Sequence, residues 1–240
     1  AEARLVKELR AIGCEVHAVD QDTGKQHTFS THGGHFGGSC DAVGRGMPEA
    51  PKSWAVLEFK THNAKSFADL VKKGVKESKP EHWTQMQCYM GFAELDRALY
   101  LAVDKNTDDI HSEWIHADPK AFEDAKARAL RIIRATVPPA RISDDPAWFQ
   151  CRFCDHAPTC HGEAVAPATC RSCAHSTPVK DGWQCGVTGL PLTKDEQEAG
   201  CAAHLYIPAM IPYAAPIDGG DAFVIYKTRD GVEFANSING

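Results

Sequence analysis

The chain lacks any run of about 18 apolar residues, the length that a membrane-spanning helix needs, and it opens without a secretory signal. Neither membrane insertion nor export is indicated, and a cytoplasmic setting, bacterial or in a phage-infected cell, is expected. It also lacks a net positive charge. The balance of −6 argues against tight, indiscriminate attachment to nucleic acid. No HxH or HExxH pattern occurs, and the glycine run Gly33-Gly34-His35-Phe36-Gly37-Gly38 has no Walker lysine, so neither a zincin site nor a phosphate loop is indicated. That run is read instead as permitting a bulge or a close backbone approach. No internal repeat or low-complexity tract interrupts the 240 residues, which have room for one good core and a smaller module. The first residue is not Met, so a preceding segment is expected.

What the chain does contain is an ordered set of polar residues on apolar elements. Residues 35–44 and 53–62 read as strands, separated by Gly44-Arg45-Gly46-Met47-Pro48-Glu49-Ala50-Pro51, which is strong turn punctuation. A hairpin closed near Glu49 sets Asp41 opposite Glu58, and cross-strand neighbours lie about 5 Å apart at Cβ. Alternation puts Glu58 and Lys60 on one face and Leu57 and Phe59 on the other. His62 shares the face of Lys60. Trp54-Ala55-Val56-Leu57 is apolar enough for a strand covered on both sides. Two carboxylates at that spacing suit Mg²⁺ or Mn²⁺, and Lys60 would offset developing negative charge on a phosphate. Gln85 and Tyr89, four apart, share a helix face and would orient the lysine or a substrate phosphate. Lys52, Lys60, Lys65, Lys72, Lys73, Lys76 and Lys79 lie close together in sequence, where a phosphate backbone would have to run.

Cysteine usage divides the chain. Seven of the ten lie between Cys151 and Cys201, and in a cytosolic protein such clustering indicates metal rather than disulfides. Cys170, Cys173, Cys185 and Cys201 supply four thiolates with a CxxC turn, enough for a closed structural Zn²⁺ site; His175 and His204 are substitute ligands. Cys151, Cys154 and Cys160 supply three more, which His161 or His156 would complete.

Elsewhere, 15–19, 25–30, 97–103 and 111–116 read as strands. Residues 66–76, 80–95 and 119–135 read as helices, the last with Asp118 as N-cap and Pro119 at N1. Its stripe comprises Phe122, Ala125, Ala129, Ile132 and Ile133. A helix over 2–12 carries Leu5, Leu9 and Ile12 on one stripe. Residues 202–216 read as an extended tail lying on the core, and 223–234 as a hairpin. The expected class is α/β, an α+β mixed sheet flanked by helices, with a small metal-stapled C-terminal module. Domain boundaries are placed at 1–145, 146–205 and 206–240.

Asp41, then Glu58-x-Lys60, then Gln85-x-x-x-Tyr89, resembles the motif order of the PD-(D/E)xK nuclease superfamily, in its RecB-type exonuclease branch. No Pro precedes Asp41, unlike the name motif. The resemblance covers about residues 1–160 and implies a restriction-endonuclease-like core. It further implies Mg²⁺- or Mn²⁺-dependent hydrolysis of DNA leaving 5′-phosphate ends, with DNA and recombination or replication proteins as partners. Such nucleases often carry one more ligand on an upstream helix; here that helix offers only Glu2 and Glu8, and Glu8 is the candidate. The first cysteine group resembles the iron–sulfur cysteines of relatives in which an upstream cysteine completes the cluster. Cys14 would then be the fourth ligand of a 4Fe–4S cluster, although read alone it is a small buried residue. The rival reading is a catalytically idle DNA- or protein-binding module that works through its cysteine ribbon. A redox protein would need an open partner site, for which the sequence gives no sign.

Overall fold

The computed structural model describes residues 2–135, 137–162, 164–179 and 182–237. The chain divides into two units, Ala1–Thr31 with His35–Ala129, and His32–Gly34 with Leu130–Gly240.

The first unit runs α1 (Glu2–Ala11), β1 (Glu15–His17), β2 (Thr28–Thr31), β3 (Phe36–Ser39), β4 (Ala42–Arg45), β5 (Ala55–His62), α2 (Ala64–Ser78), α3 (Pro80–Ala93), β6 (Arg97–Asp104), β7 (Ile110–His116) and most of α4 (Pro119–Ile133), whose last residues from Leu130 are counted with the second. Five strands form one sheet in the order β1-β4-β5-β6-β7. Only β5 and β6 are parallel. Both are central and covered on both faces, which explains their near-continuous apolar sequences.

Alternation along β5 serves two cores. Ala55, Leu57 and Phe59 join Leu5, Val6 and Val16 and, from β6, Leu99, Leu101 and Val103. Val56 joins Leu70, Val75, Met86, Met90, Ala98 and Tyr100 beneath α2 and α3. Each large apolar side chain so buried contributes about 1.5–3 kcal/mol. The mixed α/β class expected from the sequence is what forms. Among the described residues no helix is long and apolar enough to cross a membrane.

Several boundaries differ from the sequence expectation. Residues 35–44 are not one strand. β3 pairs with β2 in a separate hairpin, β4 pairs with β5, and Cys40 and Asp41 form the break between them. Val19 and residues 25–27 lie outside strands. Ile12 falls beyond the end of α1 and is exposed; Val6 takes its place in the buried stripe. Helix α2 is kinked at Gly74 (φ 76°), and the freed Val75 N–H donates to the Glu113 carboxylate on β7 (2.9 Å). Asp118 does cap α4, its Oδ1 accepting from Ala121 N–H (3.2 Å), but that helix stops at Ile133 and Ile132 is exposed.

The second unit holds two short helices, α5 (Phe149–Arg152) and α6 (Ala157–Cys160), followed by β8 (Ser176–Val179), β9 (Gly182–Cys185), β10 (Pro191–Leu192) and α7 (Lys194–Ala199). Strands β11 (Ala214–Gly220), β12 (Phe223–Thr228) and β13 (Glu233–Ser237) close it. Two three-stranded sheets result, β10-β9-β8 and β11-β12-β13. The expected hairpin over 223–234 is β12–β13. Residues 202–216 are not an extended tail: they contain a bridge from Tyr206 to Cys173, a 3₁₀ turn over Pro208–Met210 and the start of β11.

Candidate active site

The five polar residues singled out in the sequence come from one strand break, one strand and one helix of the first unit. Pairing of Ala42 with Leu57 sets Asp41, the preceding residue, beside Glu58. The Asp41 Oδ2 accepts the Phe59 N–H (2.7 Å), so the strand break aims the carboxylate back at β5. Glu58 is 1% exposed. Its Oε1 accepts from the Lys60 ammonium, whereas its Oε2 is buried without a hydrogen-bond partner. A buried carboxylate oxygen left unpaired is costly, and the electrostatics show it. Burial pushes Glu58 up to about 7, with Asp41 adding to the rise and Lys60 opposing it. Asp41 is also raised, by burial first. The neighbouring Cys40 thiol is pushed up to about 12, by burial and then by Glu58 and Asp41.

Gln85 and Tyr89 sit one turn apart on α3, and the Gln85 amide donates to the Tyr89 hydroxyl (2.8 Å). Burial raises Tyr89, and Glu58 and Cys40 add to the rise, which puts the phenol in the field of Glu58. Its ring fits against Gly38 of β3: a Cβ there would lie 2.9 Å from the ring and 3.0 Å from the hydroxyl. The close approach expected of the glycine run is therefore made to a site residue. On α1, Glu2 rather than Glu8 acts on the pair, raising both Asp41 and Glu58; Glu8 is paired with Arg4 at 3.5 Å.

A second polar group lies on the same face of the sheet. Tyr100, fully buried and in register with Glu58 on the parallel neighbour, has its hydroxyl 2.9 Å from both His62 Nε2 and His82 Nδ1. Ser66 Oγ reaches His62 Nδ1 at 3.2 Å. His82 is held down to about 4 by burial and then by Lys60. His62 is lowered by burial and then by Lys79, Lys105 and Lys60. Sequence reasoning picked out His62 but missed His82 and Tyr100. His82 sits three residues before Gln85 on the same helix face, a signal that was available. Tyr100 depends on a cross-strand register that no local pattern reveals. Of the lysine run, Lys73 pairs with Asp69 (2.8 Å) and Lys76 lies over the Trp83 ring (4.5 Å).

The cysteines expected to bind metal lie in the second unit, all as free thiols. The Cys151 thiol is raised by desolvation, then by Cys160 and Cys154, and His161 Nε2 is buried without a hydrogen-bond partner. The Cys170 thiol is raised by desolvation, then by Cys173, Cys201 and Cys185. Among the described residues no group of three or more His, Cys, Asp or Glu side chains is placed so as to hold a metal ion. Cys14 is buried in the core of the first unit, its thiol directed to the Gly46 carbonyl (3.4 Å).

No family model and no curated protein matches the sequence. Among solved structures, LHK-Exo in complex with dAMP superposes with a TM-score of 0.40 at 20% identity, over 53% of this chain and 58% of that one. SSO0001 superposes with a TM-score of 0.39 at 14% identity, over 66% of each chain. The chain thus spans less than two thirds of either neighbour.

Proposed function

We propose that the first unit is a Mg²⁺- or Mn²⁺-dependent deoxyribonuclease that hydrolyses phosphodiester bonds at Asp41, Glu58 and Lys60. The observation that supports this reading best is Glu58, sealed from solvent yet left with one unpaired oxygen beside a second carboxylate and an ammonium. A divalent cation is the group that such a donor set lacks: two hard carboxylate oxygens, one of them orphaned, fit a hard cation. Asp41 and Glu58 would hold it, and Glu2 is the further carboxylate on hand. When bound, such an ion supplies Lewis acidity toward a phosphoryl oxygen.

The remaining chemistry belongs to the side chains. Lys60 places a positive charge where negative charge accumulates on the phosphate, in a setting of low polarity where it counts for most. The Tyr89 hydroxyl already accepts a hydrogen bond from Gln85, so its own proton remains to be donated to a phosphate oxygen. Lys79 and Lys105, whose charge is felt at His62, suit the approach of a polyanionic strand. Exonuclease action leaving 5′-phosphates, in recombination, repair or phage replication, is the finer form of the reading. Within the second unit, Cys151, Cys154, Cys160 and His161 are proposed as a structural metal site.

The test is cleavage of end-labelled linear and circular DNA in Mn²⁺, Mg²⁺ or EDTA by the parent and Glu58→Ala. Metal-dependent cutting that the variant loses is expected, and sparing of the circle would mark a need for ends. Two proteins equally inactive that still bind DNA would point instead to a binding module.

A further inference from the structure

The nuclease reading uses none of Cys170, Cys173, Cys185 and Cys201, yet the backbone of the second unit gathers all four. Cys170 and Cys173 share one tight turn, in which the Cys173 N–H donates to the Cys170 carbonyl (3.3 Å). Cys185 is brought beside that turn from the end of β9. It pairs with Ser176 across the β8–β9 ladder, and the next N–H, of Gly186, donates to the His175 carbonyl (2.7 Å). Cys201 follows a glycine packed against the segment that leads into the turn. The preceding Gly200 has φ 66°, and a Cβ on it would lie 2.2 Å from the Ala168 carbonyl oxygen and 3.3 Å from Thr169 Cα. The residue before Cys201 therefore lies against the residues before Cys170. The chain then runs back along the turn, Ala174 N–H donating to Leu205 O (2.6 Å) and Ile207 N–H to Ser172 O (2.9 Å).

This ribbon has little else to hold it. Between residues 169 and 207 the buried apolar side chains, among the described residues, are Cys173, Trp183 and Leu205. So small a core does not offset the entropy of ordering some forty residues, and small modules of this kind use a staple. Of the two histidines nearby, His204 is committed elsewhere: its Nε2 lies 3.0 Å from Ser172 Oγ and its ring packs edge-on to Tyr206. Four cysteines already make a complete tetrahedral set without His175.

We propose that Cys170, Cys173, Cys185 and Cys201 bind one Zn²⁺ as four thiolates, a structural site separate in chemistry from the carboxylate pair. The ion would draw into one ligand set thiols whose backbone positions lie close but which do not yet stand as such a set, and its binding free energy would become folding free energy of the ribbon.

The experiment has two arms on the full chain. Elemental analysis compares the parent with Cys173→Ser, Cys201→Ser and the double variant. Each single change is expected to remove one zinc per chain and the double to remove no more, while His175→Ala and Glu58→Ala keep it. A serine variant can fail to fold, so the second arm uses the parent alone, mapping thiol alkylation by peptide mass spectrometry. Cys170, Cys173, Cys185 and Cys201 are expected to be protected together and to become reactive together on chelation. Free alkylation without chelator, a disulfide among the four, iron in place of zinc, or loss of zinc in His175→Ala but not Cys201→Ser would overturn the proposal. Because Glu58→Ala leaves this readout untouched, failure of the nuclease reading and failure of the zinc site are distinguishable.

Discussion

At the scale of the residue, Glu58 is a buried carboxylate raised well above its ordinary range, and the sign of that shift yields a test. A solvated glutamate titrates near 4.5, and burial raises this one to about 7. A raised acid favours the folded state in its protonated form. That contribution is complete below about 4.5 and is lost as the pH rises through about 7. Glu58→Gln, which imitates the protonated carboxyl, is therefore expected to melt above the parent at pH 8 by on the order of 2 kcal/mol, with the gap closing near pH 4.5. Adding Mg²⁺ or Mn²⁺ at pH 8 should raise the parent melting temperature and leave the variant unmoved; thermal melts across pH check both. Lys60→Ala is expected to lower kcat about 10²- to 10³-fold, the usual cost of removing a charge-stabilising donor. DNA affinity would be nearly intact, and a parallel collapse of affinity would remove Lys60 from the chemistry.

At the scale of the element, the break between β3 and β4 turns Asp41 toward β5, and the kink in α2 frees the N–H that Glu113 satisfies. Gly74→Ala tests the second of these. The left-handed backbone costs a β-carbon about 1 kcal/mol or more, and the added methyl would stand 3.2 Å from the Glu113 carboxylate. A loss of about 1–2 kcal/mol in denaturant unfolding is expected, with the metal response of the site retained. Legibility in the sequence follows the same division. Alternation in residues 55–62 and the apolar run 98–103 expose β5, β6 and the shared face of Glu58 and Lys60, because side-chain period is local. Gln85 and Tyr89 are legible for the same reason. The break at Cys40–Asp41 is not, since it arises from two sheets competing for one extended segment. Nor is the choice of Glu2 over Glu8, which depends on how α1 lies against the sheet, or the place of Tyr100, which depends on parallel register.

At the scale of the whole molecule, the proposed nuclease activity would bring a polyanion to a chain of net charge −6 with an acidic pair in its candidate site. Affinity for DNA in EDTA is therefore expected to be weak and steeply salt-dependent. A divalent cation that does not support cleavage, such as Ca²⁺, should tighten binding at fixed ionic strength, and Glu58→Gln should lose most of that gain. Fluorescence anisotropy on a labelled oligonucleotide measures it. Equal affinities with and without Ca²⁺ would mean that the acidic pair takes no part in docking.

The Tyr100 hydroxyl has one hydrogen and two imidazole neighbours at equal distance. It can donate to only one ring and must accept from the other. With both histidines held neutral, His62 and His82 cannot choose their tautomers independently: if His62 Nε2 accepts, His82 Nδ1 carries the hydrogen, and if His62 Nε2 donates, His82 Nδ1 accepts. Ser66 is then set as well, as acceptor or donor at His62 Nδ1. Two residues on different elements, twenty positions apart, thus share a single binary state, and the hydrogen at one end of the Ser66–His62–Tyr100–His82 chain fixes the hydrogen at the other.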